Sequence, residues 1–455
     1  MSLLAADLND AEIAVVSGGQ FVYREPGFAL LDEQELKTGR EAYAKFRIRP
    51  RFIQHRFWSD LQTQPLPDQR FRHLSTADLV SNQLEKIWRS TAAHGDKLVV
   101  AVPPYMSKDN LALLLGIAAE IDVPIIAMVD AAVAATRREY RNAVPVHVDL
   151  SLHSTTLTRI AQAGQVQVDR SAVVADAGLL ALFDVWVRVI AEAFVRESRF
   201  DPLHTAETEQ MLADRITGWL AAATTGSSVK LELEYRGITH MAEIESLELT
   251  AAAAPVYQGI ISHLRALYRA DEIPAIQLTH RAALLPGLAE MLRARVGGEV
   301  FLLEPGAAAR GLAARCRDTQ SGGAGVSLLR QLPWDQAAVE VASRETERSG
   351  GQPTHLLHGD TAYPIDARPL LLGTQPAPGE RWIDLQGDMP GVSRRHCTLA
   401  QENGQCIVRD ASRYGTFLNG HPIDGSAVLA VGDELRVGTP GYEFRLIRTE
   451  SDGGA

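Results

Sequence analysis

The sequence predicts an α/β domain of mainly parallel, covered sheet over residues 1–316, a linker over 317–353, and an all-β sandwich over 354–448, with 449–455 as a tail. Three observations carry this reading. Apolar runs of strand length alternate with helical periodicity up to Cys316, composition then shifts to Gly, Ser, Thr and charge, and from His355 onward only short strands and turns follow.

In chain order, EIAVVSGGQFVYRE (Glu12 to Glu25) predicts two strands around a Gly-Gly hairpin turn. ADLVSNQLEKIW places Leu79, Val80, Leu84, Ile87 and Trp88 on one helical face. KLVVAVP is a continuous apolar run, as a strand buried on both faces requires. SKDNLALLLGIAAEI follows as a helix with Ser107 as N-cap, VPIIAMVD as a second buried strand, and AAVAATRREY as a further helix. This βαβα order implies a parallel sheet with helices on its faces. The second half repeats the mixture. Val144 to Arg170 reads as strand, turn, strand, turn and strand, and long helices run through Trp186 and Trp219. SVKLELEYRGITHMAEIE is a hairpin turning at Arg236-Gly237, and PAIQL onward gives strand, helix, strand and helix to Cys316. One short helix is expected in the linker, between Asp335 and Arg348.

Composition narrows the function. The chain is 46% hydrophobic and 22% charged with a formal net charge of -11, which disfavours a nucleic-acid or anionic-membrane binder. The 3 cysteines form no CxxC pattern, the usage of a reducing compartment. The opening MSLLAADLND has no basic leader, no apolar run is long enough to span a bilayer, and a cytoplasmic location is expected. No GxSxG, HExxH, Walker loop or zinc-ligand spacing is present, so no catalytic residue and no metal site is assigned.

LLLG (Leu370 to Gly373), VSRRH (Val392 to His396), SRYGTFLNG (Ser412 to Gly420) and VGDELRVG (Val431 to Gly438) occur in the order of a forkhead-associated (FHA) domain, which the segment from Thr354 to Arg448 resembles. The resemblance implies a β-sandwich whose loops at one end bind phosphothreonine peptides. It places Ser393, Arg394, Arg395, His396, Arg413, Tyr414 and Thr416 at the peptide site. The family's serine contacts phosphate and its histidine braces the loop; Ser393 and His396 match them. Two family residues are replaced. Thr374 stands where an arginine follows the strand glycine, and Tyr414 stands where an asparagine grips the peptide backbone. Losing one arginine donor costs roughly 2–5 kcal/mol. Arg394, Arg395 and Arg413 are the cations that could replace it.

KLVVAVPPYMSKDNLALLLGIAAEIDVPIIAMVDAAVAA resembles the ATPase domain of heat-shock chaperones, in the actin/hexokinase superfamily, with Asp130-Ala131 in place of a Glu-Pro turn. The resemblance extends over residues 3–316. It implies a two-lobed fold that holds Mg-ATP between its lobes on two phosphate loops and one adenosine loop. Asp7 and Asp149 match the two loop aspartates, and Thr155 and Thr156 keep hydroxyls. The glycines and small residues the loops need are replaced by Asn9, Asp10 and Ala11 in the first and by Ser151 and His153 in the second. Thr279, His280 and Arg281 replace the Gly-Gly-Ser of the adenosine loop, adding bulk where adenine and ribose would lie. Asp7, Asp149 and Thr155 are thus the remnant of a nucleotide site, with no cofactor expected. His153 and His280 either plug the cleft or meet across it.

The expected function is a non-catalytic cytoplasmic adaptor, an actin-like pseudo-ATPase joined to a divergent FHA domain, that binds a protein partner, phosphorylated or not. Two alternatives are a nucleotide-dependent chaperone-like ATPase and a phosphothreonine-peptide reader.

Overall fold

The computed structural model describes residues 3–32, 36–269, 272–316, 326–341, 352–358, 361–385, 391–402, 404–419, 421–438 and 441–449. The chain divides into two compact units, Met1–Ala342 and Ser343–Ala455.

The first unit is built on two six-stranded sheets. Each contains a three-stranded antiparallel meander continued by two parallel strands: Gln20–Glu25, Glu12–Ser17, Leu3–Asn9, Lys97–Val102 and Ile125–Asp130 in one, and Val166–Ala175, Ser154–Gln162, Val144–Leu150, Pro274–Leu278 and Glu299–Leu302 in the other. The Gly-Gly turn forms as the sequence predicts, with Gly18 and Gly19 at φ 56° and 83°, a region that side chains with a Cβ rarely enter. Lys97–Val102 is buried after its first residue and Ile125–Asp130 before its last, which is why both read as unbroken apolar runs. Helices Thr76–Thr91 and Lys108–Glu120 start on capping boxes, Ser75 with Asp78 and Ser107 with Asn110. Helices Leu179–Ser198 and Ala206–Ala223 and the hairpin Ser228–Glu245 also lie where the sequence places them.

Three elements differ from expectation. Helix Ser246–Arg265 was not read from the sequence because Pro255 interrupts it. Its buried stripe of Leu249, Ala253, Tyr257, Ile260, Ile261 and Leu264 offsets the hydrogen bond that proline removes. Helix Ala131–Ala135 stops short of Thr136, and the arginines that follow it are drawn away. Arg137 pairs with Asp335 and Arg138 donates to Gln336. The largest difference is the supposed linker. Ser327–Leu329 adds a parallel strand beside Ile125–Asp130 on one sheet, and, after Arg330, Gln331–Leu332 pairs antiparallel with Val166–Gln167 of the other. No helix forms over 335–341. Val339–Glu340 pairs with Tyr140–Arg141 instead, and the rest of the expected helix lies outside the described residues. Leu332 is buried in an apolar cluster with Val99 and Val129 of one sheet and Ile160 and Val166 of the other, so this strap packs as part of the first unit.

The second unit is a sandwich of a six-stranded and a five-stranded sheet, running from His355–His358 to Tyr442–Ile447. Leu356, Leu372, Leu399, Val408, Leu435, Val437 and Leu446 fill its core, joined by the free thiols Cys397 and Cys406. Burial pushes the Cys397 thiol up to about 12, which keeps it protonated and inert. No described helix is long and apolar enough to cross a membrane.

Candidate functional site

Among the described residues, most of the expected site residues gather in two places: the floor of the groove between the two sheets of the first unit, and one tip of the sandwich.

Asp7 and Asp149 lie near the C-terminal ends of the leading strands of the two sheets, Leu3–Asn9 and Val144–Leu150. Arg281 lies between them. Its Nη2 donates to Asp7 Oδ2 (3.0 Å) and Asp149 Oδ2 (2.8 Å), and its Nε to Asp149 Oδ1 (3.1 Å). Thr279 Oγ1 and Asn9 Nδ2 donate to Asp149 as well, at 2.7 and 2.9 Å. All of these side chains are buried. Burial works to raise the Asp149 carboxyl, but the Arg281 guanidinium outweighs it and holds the group below the carboxylate range. Asp7 receives a single arm of the fork. Burial, only partly offset by Arg281 and reinforced by the Asp149 charge, raises it. The space left among Asp7, His147, Asp149, Thr279 and Arg281 is about 10 Å³, room for one water at most. A hydrated divalent cation with phosphate oxygens does not fit there while Arg281 holds its place.

The other residues of the expected loops turn elsewhere. Asp10 does not face an open site. It is fully buried, and its Oδ1 accepts from the Leu152 N–H (2.8 Å), tying the turn after one leading strand to the turn after the other. Burial pushes its carboxyl up to about 7. Thr155 is buried and donates to the Ala177 carbonyl (2.6 Å), so it does not join Asp7 and Asp149. His153 and His280 do not meet. His153 Nε2 lies 3.1 Å from His55 Nδ1, and His280 Nε2 lies 3.0 Å from Glu12 Oε1. Among the described residues no three His, Cys, Asp or Glu side chains are placed to share a metal ion.

At the tip of the sandwich, His396 organises two loops. It is fully buried; its Nδ1 accepts from the Ser393 N–H (3.1 Å), which leaves the ring proton on Nε2 to donate to the Gly415 carbonyl (3.0 Å). Burial holds this imidazole below its usual range, hence neutral. Ser393 Oγ accepts from the Arg413 N–H (3.0 Å), Ser412 Oγ from the Gly415 N–H (2.8 Å), and Asp410 from the Thr416 hydroxyl (2.6 Å). Gly373 has no alternative residue, because a Cβ there would come within 2.3 Å of the Arg394 carbonyl oxygen. The expected residues therefore separate. Ser393, Arg394, Arg413 and Tyr414 reach the surface, Tyr414 being 52% exposed. His396 and Thr416 are internal struts, and Arg395 spends its fork on Glu380 (2.6 Å). Among the described residues neither Arg394 nor Arg413 has an acidic partner.

Residues 377–438 match the family model of the FHA domain. The second unit carries an FHA domain. Over 65 residues the chain is 45% identical to the protein named glycogen accumulation regulator GarA of Mycolicibacterium smegmatis, a span of 14% of this chain and 38% of that relative. It is equally similar to the GarA of Mycobacterium tuberculosis H37Rv and to the uncharacterised protein Mb1858 of Mycobacterium bovis, each over 37% of the relative's length. The chain thus spans less than two fifths of these relatives.

Sequence reading marked Arg281 as bulk but missed its pairing. The signal was available: an arginine in an apolar setting must find acids, and Asp7 and Asp149 are the strand-end acids of the same unit. Glu12, which holds His280 and Arg24, left no signal at all.

Arg281→Ala leaves two buried carboxylates without a cation. It should lower unfolding free energy by about 3–5 kcal/mol, and millimolar magnesium should recover part of the loss in a thermal melt. Asp10 binds its proton more tightly in the folded than in the unfolded chain, so its contribution is complete below the unfolded value of 3.8 and is lost as pH rises to about 7. Asp10→Asn should flatten the fall in stability between those limits, measured by urea unfolding across pH. Asp7, raised in the same direction, retains a residual slope.

Proposed function

We propose that this protein is a non-catalytic cytoplasmic adaptor whose FHA tip docks a phosphorylated segment of a protein partner through Ser393, Arg394 and Arg413. FHA domains mediate protein–protein interaction through phosphopeptides, and the observation that carries the reading here is the state of the tip. Ser393 is fixed by the Arg413 N–H and keeps its own O–H proton to donate, while two guanidinium groups stand exposed with no acidic partner among the described residues. Charge-assisted donors of this kind are what a phosphate monoester needs. Thr374 removes one of the family's cations, and Arg394 and Arg413 supply the compensation. Tyr414, in place of the asparagine, weakens the grip on peptide backbone and offers an aromatic surface of the sort enriched at protein interfaces.

The first unit supplies the scaffold. Its doubled sheet order supports an actin-like, two-lobed reading, and the arginine between Asp7 and Asp149 supports a pseudo-ATPase over a nucleotide-dependent chaperone. The name of the GarA relatives, a regulator, is compatible with an adaptor role.

The test is titration of the whole protein with a phosphothreonine peptide library and its unphosphorylated counterpart. Phosphorylated peptides should bind preferentially. Arg394→Ala with Arg413→Ala should remove roughly 1.5–3 kcal/mol per lost charged hydrogen bond, about 10- to 150-fold in affinity each. Equal binding of both libraries contradicts the phosphate reading and leaves phosphate-independent docking.

A further inference from the structure

Above the Arg281 floor, the groove between the sheets stays open as a cavity of about 640 Å³. That is the size of a small-molecule site, and the floor beneath it is filled by the protein's own side chains. Phe28, Leu152, Phe183 and Leu220 form apolar walls contributed from both sides of the groove. The polar groups on its lining are unequal. Each carboxylate already has a donor: Glu12 has Arg24 and His280, Glu25 has Lys86 and Tyr23, and Asp214 has Gln210. Arg24 and Arg281 are paired to acids. Arg40 is different. Among the described residues its guanidinium donates only to the Arg24 carbonyl (3.3 Å) and forms no ion pair, while its backbone N–H donates to Glu25 Oε2 (3.4 Å).

We propose that this cavity binds an amphipathic monocarboxylate, with an alkyl or aryl body against the apolar walls and the carboxylate on the fork of Arg40. A planar guanidinium matches a carboxylate in two parallel hydrogen bonds, and a single unpaired cation suits one negative charge rather than a triphosphate. An amine head group would face lining carboxylates that are already satisfied, and would stand beside Arg40. The inference is independent of the phosphopeptide reading, because it concerns the other unit and a different ligand.

The experiment is calorimetric titration of the delipidated full-length protein with decanoate, decan-1-ol and decylamine, each below its aggregation concentration. Decanoate should saturate one site and bind at least tenfold more tightly than the alcohol or the amine. Arg40→Gln, at an exposed position, should reduce decanoate to the level of the alcohol. Leu284→Trp, which fills the cavity from a half-buried lining position, should abolish binding of all three with the thermal melt retained. Absence of saturable decanoate binding to the unmodified protein overturns the proposal. So does decanoate affinity unchanged in Arg40→Gln, which decides the matter if Leu284→Trp does not fold.

Discussion

The buried Asp7–Arg281–Asp149 bridge is the constraint on which the first unit depends. A guanidinium out of water needs its charge matched, and the two leading strands each bring one carboxylate to its Nε and Nη2, while Nη1 is buried without a partner among the described residues. The pairing is asymmetric. Asp149 takes two arms of the fork and further donors from Thr279 and Asn9, and remains ionised; Asp7 takes one arm and is pushed upward. The same interaction that ties the two sheets together leaves only about 10 Å³ on the groove floor. Asp10 adds a second tie through the Leu152 N–H, and residues 327–332 add a third by extending both sheets in succession.

The FHA tip obeys the same rule with different groups. A neutral, buried imidazole with a fixed tautomer is a dependable strut, since one nitrogen accepts and the other donates, and both partners are backbone groups of different loops. With the loops held in this way, the Arg394 and Arg413 side chains stay at the surface, while Ser393 Oγ adds one more tie by accepting from the Arg413 N–H. The two places thus commit their charge differently: on the groove floor Arg281 is matched by Asp7 and Asp149, whereas at the tip Arg394 and Arg413 have no acidic partner among the described residues.

Much of this was legible in the sequence, for physical reasons. Strands buried on both faces must be apolar throughout, so KLVVAV and IIAMVD announced themselves; Gly18-Gly19 and Arg236-Gly237 marked turns because the backbone there needs positive φ. The FHA motifs were readable because Gly373, Ser393 and His396 each meet a local geometric demand that few residues satisfy. What stayed hidden depends on contacts between distant segments. The polar, Gly-rich composition after Cys316 resembles a linker, yet Ser327–Leu329 and Gln331–Leu332 need only open sheet edges to pair. Helix Ser246–Arg265 was masked by Pro255, whose local cost is outweighed by tertiary burial. The partners of His153, Thr155 and Arg281 lie 98, 22 and 274 residues away, in other segments and beyond any spacing rule.

On the pseudo-ATPase reading proposed above, Arg281 stands where a nucleotide's cation and phosphates would lie. A crystal structure of the protein grown with saturating magnesium-ATP tests it most directly. The account predicts unchanged density for the guanidinium between Asp7 and Asp149, with no triphosphate on the groove floor. Ordered phosphates and a metal ion in that place, with Arg281 displaced, would contradict it.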